Sequence, residues 1–312
     1  MTTYNIKQGD CMQLLHDIAD NSVDLVLCDP PYGNMTGIEK SSITKNGTAD
    51  HSFRFCGWAA IDPNALFIQL NRILKPFARC ILFSQEPYTS NLITSAIDPL
   101  PFSQRAFWKK EHFANVLGCK NQLVNYTEDI VIFTKQGYDT EKSHPLRSYF
   151  KEEQAKCAGV SFKKILNNNM ASHYFTNGLQ FTIPSEENYK KLQTTGHFNR
   201  PYSEIKAIHD KWNSQRGAVF NLWDGGKFKG NIFEYKRDKE KLHPTQKPVA
   251  LLEDLIKTYS KDGALVVDFC MGSGSTGIAA LNCNRDFIGF ELDENYFNIA
   301  DKRLKERQEH LF

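Results

Sequence analysis

The sequence predicts a doubly wound α/β fold on a mostly parallel sheet of about seven strands. Two stretches from opposite ends of the chain carry that reading. Val23-Asp24-Leu25-Val26-Leu27-Cys28 is an apolar, β-branched run that reads as a buried strand, and it stops at Asp29-Pro30-Pro31-Tyr32. Ala264-Leu265-Val266-Val267 is a second such run. It leads through Asp268-Phe269-Cys270-Met271-Gly272-Ser273-Gly274-Ser275-Thr276-Gly277 into the helix-like Ile278-Ala279-Ala280-Leu281. Both turns fall at strand C-terminal ends, where open α/β sheets bind their ligands. A third observation divides the chain: residues 137–240 lose the strand–helix alternation and become polar, aromatic and basic. The expected organisation is a first half of the core (1–136), an insert (137–240) and a second half of the core (241–312).

Taken in order, Tyr4 to Gly9 reads as a short strand ending at Asp10, a residue suited to cap the amphipathic stretch Cys11 to Ile18. Residues 33–57 mix Gly, Asn, Ser, Thr and charge and read as a long loop beside the site. Residues 62–75 read as a helix, with Pro63 in its first turn and Leu66, Phe67, Leu70, Ile73 and Leu74 on one face. Arg79 to Ser84 is the next strand, with Ser84, Gln85 and Glu86 at its site-facing end. Arg105 to Lys110 and Glu128 to Lys135 complete the sheet as an antiparallel pair. Their connection carries Asn115, Asn121, Gln122 and Asn125, suited equally to hydrogen-bonding a ligand or to solvent.

Within the insert, Leu146 to Ala155, Ser161 to Leu166, Met170 to Phe175 and a stretch from Pro184 or Ser185 to Leu192 read as helices. That order is loosely helix-turn-helix-like, and a generic helical insert competes with it. Trp223 to Gly230 reads as a glycine-rich, basic loop that rejoins the core. Val249 to Ser260 is an amphipathic helix with Pro248 at its start. Asp286 to Phe290 is a strand that ends at Glu291, and Asn295 to Glu306 is a closing surface helix.

Composition bounds the function. With 312 residues, 41% of them hydrophobic, the chain can bury a full core. No apolar run reaches the ~18 residues of a membrane span, and Met1-Thr2-Thr3-Tyr4-Asn5 shows no secretory pattern. The eight cysteines form no Cys-x-x-Cys pair, so neither a metal site nor a disulfide framework is expected, and a reduced, cytoplasmic enzyme is the simple reading. The net charge of +2 does not announce nucleic acid, but residues 137–241 hold 18 Lys and Arg against 12 Asp and Glu. That stretch is therefore +6 and the remainder −4.

The chemistry of the first turn is that of a clamp. Ionised Asp29 only accepts hydrogen bonds. Pro30 and Pro31 stiffen the turn and fix its carbonyls. An amine with two N–H groups can give one to Asp29 and one to the Pro30 carbonyl, while Tyr32 offers a face for a planar base. The second turn brings backbone close to a ligand at a helix N-terminus. Its glycine spacing fits neither the dinucleotide nor the P-loop fingerprint, and no Lys follows Gly274. Glu291, ending the next strand, is placed to accept from ribose hydroxyls.

Clamp, long intervening segment, then glycine turn: in that order the chain resembles the β group of S-adenosylmethionine-dependent DNA amino-methyltransferases, over about residues 4–136 and 241–305. The resemblance implies a Rossmann-like methyltransferase sheet in permuted order, a target-recognition insert, S-adenosyl-L-methionine as cofactor and double-stranded DNA as substrate. It makes Asp29, Pro30, Pro31 and Tyr32 the catalytic clamp. It places Asp10 near the cofactor's adenine, Asp268, Phe269, Met271, Gly272, Ser273, Gly274, Ser275, Thr276 and Glu291 in the cofactor motif, and His243, Pro244, Thr245, Gln246, Lys247 and Pro248 in the pocket wall. His243 is not expected to act as a base. Lys163, Lys164, Lys190, Lys191, Arg200 and Arg216 are candidate phosphate contacts. A homodimer and a cognate restriction endonuclease are further partners consistent with the family.

The expected reaction is direct methyl transfer to the N6 amino group of an adenine flipped out of the duplex, without metal or covalent enzyme intermediate. Cytosine-N4 methylation uses the same clamp and remains an alternative, although Asp at position 29 leans towards adenine by resemblance. A non-catalytic DNA-binding regulator is a second alternative. Cytosine-C5 chemistry would need a Pro-Cys nucleophile motif, which the chain lacks.

Overall fold

The computed structural model describes residues 2–33, 59–114, 120–121, 123–137, 144–157, 159–167, 169–176, 181–214, 219–240 and 242–309. Arg216, Asn115, Gln122 and nearly all of the 33–57 loop lie outside the described residues. The chain divides into two compact units, Met1–Gln136 with Gly217–Phe312, and Gly137–Arg216.

The first unit is an eight-stranded sheet with helices on both faces. In chain order it contains β1 (Tyr4–Gln8), α1 (Cys11–Leu14), β2 (Val23–Cys28), α2 (Pro63–Ile73), β3 (Leu74–Ser84), α3 (Tyr88–Thr94), β4 (Phe102–Ala114) and β5 (Asn125–Thr134). The second unit follows with α4 (Arg147–Lys156), α5 (Phe162–Leu166), α6 (Ala171–Tyr174), α7 (Glu186–Gln193) and α8 (Tyr202–Ser214). The sheet then resumes with β6 (Ile232–Glu234), α9 (Val249–Tyr259), β7 (Leu265–Asp268), α10 (Ser275–Asn282), β8 (Asp286–Glu291) and α11 (Glu294–Glu309).

Strand order is β1-β8-β7-β2-β3-β5-β4-β6. The pairs from β1 through β3 are parallel, β3–β5 and β5–β4 are antiparallel, and β6 returns parallel to β4. Alternation along β2 explains the two-sided cover. Leu25 and Leu27 point into one core with Leu251, Leu255 and Ala279, while Val26 and Cys28 point into the other with Phe67, Leu70 and Leu92. β2 and β7 are adjacent, so the clamp turn and the glycine turn leave the same edge of the sheet side by side.

Three expectations need correction. The sheet gains an eighth strand, β6, because Phe107 and Lys109 of β4 leave a paired edge that Ile232 to Glu234 completes. The insert consequently ends at Arg216 rather than at 240, since residues 219–240 pack on the core: Asn221 bonds the end of α9, and Trp108 donates to the Tyr235 carbonyl. β3 begins at Leu74 rather than Arg79, with its register shifting against β2 between Val23 and Leu25.

The second unit has its own core of Leu146, Phe150, Phe162, Leu166, Tyr174, Tyr189, Leu192, Phe198 and Ile205. The four expected helices form, and α8 adds a fifth. α5 spans five residues and α6 four, too short for a groove-reading helix; α4, α7 and α8 are the longer helices of the unit.

Candidate active site

Asp29 sits one residue past β2, and burial acts on it first, pushing its carboxyl above the usual range. The Lys247 ammonium and the Tyr32 hydroxyl pull it down, while the nearby Glu128 charge pushes it up. Lys247 reaches Asp29 Oδ2 from the turn before α9 and also lies 2.7 Å from Glu128 Oε1. Tyr32 donates its hydroxyl to Asp29 Oδ1, and Glu128 Oε1 lies 3.2 Å from the Tyr32 hydroxyl oxygen. Glu128 Oε2 is 2.7 Å from Lys110 Nζ on β4. Burial opposes the charge on Glu128, but the two ammonium groups outweigh it and hold its carboxyl well below the usual range. Two carboxylates and two ammonium groups thus neutralise one another at the sheet edge.

A cavity of about 900 Å³ opens beside this cluster. The clamp residues Asp29, Pro30, Pro31 and Tyr32 line one part of it; Asp268, Phe269, Met271, Gly272, Ser273, Ser275 and Thr276 line another. Asp10, Glu291, His243, Thr245, Gln246 and Lys247 complete the wall. The local reasons are visible. Asp10 caps α1 by accepting from Met12 N at 2.8 Å. Glu291 accepts from the backbone N–H of Gly272 at 2.8 Å and of Asp293 at 2.9 Å, which ties the end of β8 to the glycine turn. Gly272 turns with φ of 52°, and a Cβ there would stand 3.3 Å from the His243 ring. That ring packs on Tyr296, with centroids 4.2 Å apart, and burial lowers its pKa to about 4, so the imidazole is neutral. Burial raises the Asp268 carboxyl to about 6 against hydrogen bonds from Thr276, Cys28 and the Cys270 backbone.

Pro244, Gly274 and Pro248 do not line this cavity. Pro248 is the N-cap position of α9, where its fixed φ starts the helix. Gly274 takes φ of 80° against Ala300, 3.0 Å from where its Cβ would be, and so packs the turn onto α11. Lys247 lines the cavity, but its ammonium is spent on Asp29 and Glu128 rather than facing a cofactor. Tyr32 is not an open stacking face here: its hydroxyl holds Asp29, and its ring lies 5.9 Å from that of Tyr88.

The lining excludes some ligands. It carries seven acids (Asp10, Asp29, Asp62, Asp268, Glu291, Asp293 and Glu294) and one lysine, already neutralised. A polyphosphate has no cationic partner in such a wall, whereas a ligand with positive charge and hydroxyl donors finds carboxylate partners.

A sequence model of the N6/N4 methyltransferase family, described as DNA methylase, matches residues 23–302. The chain belongs to this family. Among curated DNA methylases, Type II methyltransferase M2.DpnII of Streptococcus pneumoniae is 30% identical over 158 residues, which are 47% of this chain and 53% of the relative. M2.LlaDCHI of Lactococcus lactis subsp. cremoris is 29% identical over 153 residues, 45% and 51% of the two chains. M.HpaI of Haemophilus parainfluenzae is 22% identical over 298 residues, 95% and 72%. The chain spans about half the length of the first two relatives. Among solved structures, the M1.HpyAVI–SAM complex superposes with a TM-score of 0.55 at 18% identity, covering 97% of this chain and 99% of that one. PvuII DNA methyltransferase, titled cytosine-N4-specific, gives 0.54 at 13%, covering 99% and 93%. These likenesses establish the shared methyltransferase fold.

Sequence reasoning missed Lys110 and Glu128. Both lie within strands that the sequence predicts, β4 and β5; Glu128 meets the clamp through Lys247 and Tyr32, and Lys110 pairs with Glu128. The signal was a charged residue opening an otherwise apolar strand, Glu128-Asp129 before Ile130-Val131-Ile132-Phe133. In the second unit, Lys163 and Lys164 are exposed on α5. Lys190 and Lys191 instead pair with Glu186 and Glu187 one turn back, at 2.9 and 2.6 Å. Arg200 lies over the Tyr149 ring and 3.5 Å from Glu204.

Proposed function

We propose that this DNA methylase transfers the methyl group of S-adenosyl-L-methionine to the N6 amino group of an adenine flipped out of double-stranded DNA. The observation that carries the reading is the opening of Asp29-Pro30-Pro31-Tyr32 and the glycine turn into one acid-rich cavity. When bound, the cofactor supplies an electrophilic methyl on a sulfonium centre. Its ribose hydroxyls would find an acceptor in Glu291, its adenine would lie by Asp10, its ammonium would find carboxylate at Asp268, and its carboxylate would suit the N-terminus of α10 beside Ser273 and Ser275.

The chain's own residues do the rest. Asp29 and the Pro30 carbonyl accept the two amino hydrogens, which favours a pyramidal nitrogen and exposes a lone pair otherwise delocalised into the ring. The Asp29 charge also favours the positive charge developing on nitrogen, a contribution of ~3 kcal/mol in comparable electrostatic cases. Entry of the amine requires the Tyr32 hydroxyl to leave Asp29 Oδ1, which frees the ring to stack on the base. Lys247 stays on Oδ2 and keeps the carboxylate ionised. Neutral His243 fills the wall behind Gly272 without adding a charge. Positioning of the amine against the methyl group supplies much of the remaining acceleration. The proton leaves to water after transfer.

Further parts of the reading are a DNA-contacting role for residues 137–216, a cytoplasmic location in a bacterial or phage-infected cell, a homodimer, and a cognate restriction endonuclease. The experiment is incubation of purified protein with unmethylated genomic DNA and S-adenosyl-L-methionine, followed by nucleoside mass spectrometry and single-molecule sequencing. N6-methyladenine is the expected product, in one motif if residues 137–216 select sequence. N4-methylcytosine would overturn the base assignment, and no methylated base would overturn the function.

A further inference from the structure

Three buried charges and the partly buried Asp29 form an alternating chain that ends at the cavity. Lys110 Nζ lies 2.7 Å from Glu128 Oε2, Lys247 Nζ lies 2.7 Å from Glu128 Oε1, and Lys247 also contacts Asp29 Oδ2. The side chains of Lys110, Glu128 and Lys247 are 5%, 7% and 6% exposed, while Asp29 at the cavity end is 18% exposed. Asp29 and Lys247 line the cavity; Glu128 and Lys110 do not. Stability alone does not call for such a chain, because buried ion pairs are often replaceable by apolar residues without loss. Its terminal member is the clamp carboxylate, and that is where its purpose is to be sought.

The physical need is balance. An ammonium paired with Asp29 alone would keep it ionised but quench its charge, and would repel the positive charge developing on the target amine. Glu128 divides the ammonium between two carboxylates. Left unneutralised, Glu128 would in turn repel Asp29; Lys110 removes that repulsion from behind. The Tyr32 hydroxyl lies between the two carboxylates, donating to Asp29 with Glu128 Oε1 3.2 Å away, so Glu128 also offers the hydroxyl a second acceptor when the amine takes its place on Asp29.

We propose that Glu128, backed by Lys110, is a positioning residue for methyl transfer: it shares Lys247 with Asp29, so that the clamp carboxylate stays ionised yet keeps its charge for the target amine. The inference rests on the amino-methylation reading of the same site and adds residues that do not touch substrate. It predicts a defect in the chemical step with little effect on cofactor binding.

The test compares wild type, Glu128→Gln, Glu128→Asp and the double variant Lys110→Met/Glu128→Gln, which removes the two outer charges together and leaves no lone buried ion. Single-turnover methylation of DNA, the pH dependence of that rate, and the Kd for S-adenosyl-L-methionine are measured for each. Glu128→Gln and the double variant are expected to lose roughly 100-fold in single-turnover rate with Kd within about threefold of wild type. Glu128→Asp should recover at least about a tenth of the wild-type rate. Asp29 faces Lys247, Glu128, the Tyr32 hydroxyl, Asp268 and Cys28. Of these Glu128 pushes its carboxyl up, so the acid limb should move to lower pH when that charge is removed. A merely structural Glu128 would leave the limb in place. A folded double variant with wild-type rate, or a loss of cofactor binding in parallel with rate, would overturn the inference. Wild-type protein that methylates no DNA would sink both this and the function it rests on, whereas an active wild type with an equally active variant sinks this alone.

Discussion

At the scale of single residues, the site contrasts groups held charged with groups held neutral. Asp29 is the group whose loss separates the two halves of the site most cleanly. In Asp29→Ala, Lys247 keeps Glu128 as a partner, so neither ammonium is left without a carboxylate and the fold should survive, at the cost of one net positive charge in the cluster. The single-turnover rate should fall by at least about 10²–10³-fold, as for loss of one electrostatic stabiliser. The Kd for S-adenosyl-L-methionine, measured by calorimetry, should move less than about threefold; loss of both would make Asp29 structural. His243 illustrates the neutral class. Its folded pKa of about 4 lies below the value of 6.5 expected when unfolded. Between those values the unfolded chain binds more protons, so the contribution of neutral His243 is whole above pH 6.5 and is lost as pH falls towards 4. Urea titrations at pH 7 and pH 4 should show wild type losing roughly 3 kcal/mol more than His243→Gln over that interval. Equal losses would mean that the ring protonates in place.

At the scale of elements, the glycine turn works because the helix after it is packed without clearance. Gly277 on α10 has no room for a side chain: a Cβ would stand 2.7 Å from Phe287 Cε1 and 2.9 Å from Leu304 Cδ2, both buried. Alanine is the better helix former by about 1 kcal/mol, but overpacking a closed core typically costs about 1–3 kcal/mol. The same ring fills the space beside Gly289 on β8, where a Cβ would stand 2.6 Å from Phe287 Cε1. Gly277→Ala should therefore lose about 1–2 kcal/mol of stability on chemical denaturation and lower Tm by ~2–3 °C. An unchanged Tm would show that the α10–β8 contact has slack. The same scale shows what the sequence made legible. β2, β7, α2 and α9 were readable because their apolar residues keep strict spacing over a whole element, and both turns were readable because their residues are contiguous. Helix α3 was missed: it is seven residues long and lacks a side-chain cap. Strand β6 was missed because it is three residues with one buried side chain, and only the edge of β4 makes it a strand. Glu128 and Lys110 eluded the reading for a related reason. Their roles come from antiparallel pairing of β4 with β5, in which Trp108 stands opposite Glu128, and no local pattern encodes that proximity.

At the scale of the whole molecule, charge is segregated. Residues 137–216 hold 12 Lys and Arg against 8 Asp and Glu, a net +4 on a chain whose total is +2. Counting charges does not say which of them can neutralise phosphate, and the ion pairs do. Lys190 and Lys191 are paired along α7 with Glu186 and Glu187; a phosphate must compete with a carboxylate for each. Lys163 and Lys164 on α5 have no carboxylate partner among the described residues, so a phosphate would meet them unopposed. Surface pairs are weak, worth about 0–1 kcal/mol, so the difference is one of degree, but it is measurable. Each lysine that neutralises a phosphate contributes about −0.9 to the slope of log K against log salt. Fluorescence anisotropy of a labelled duplex across a salt series should give Lys163→Ala/Lys164→Ala a slope shallower by roughly 1–2 than wild type. Lys190→Ala/Lys191→Ala should change the slope by less, because the partner glutamates are freed and repel phosphate whether or not the lysines had touched it. The reverse ordering would place the DNA along α7. Equal, unchanged slopes for both pairs would remove these lysines from the interface and leave the +4 of the second unit as a solubility feature rather than a binding one.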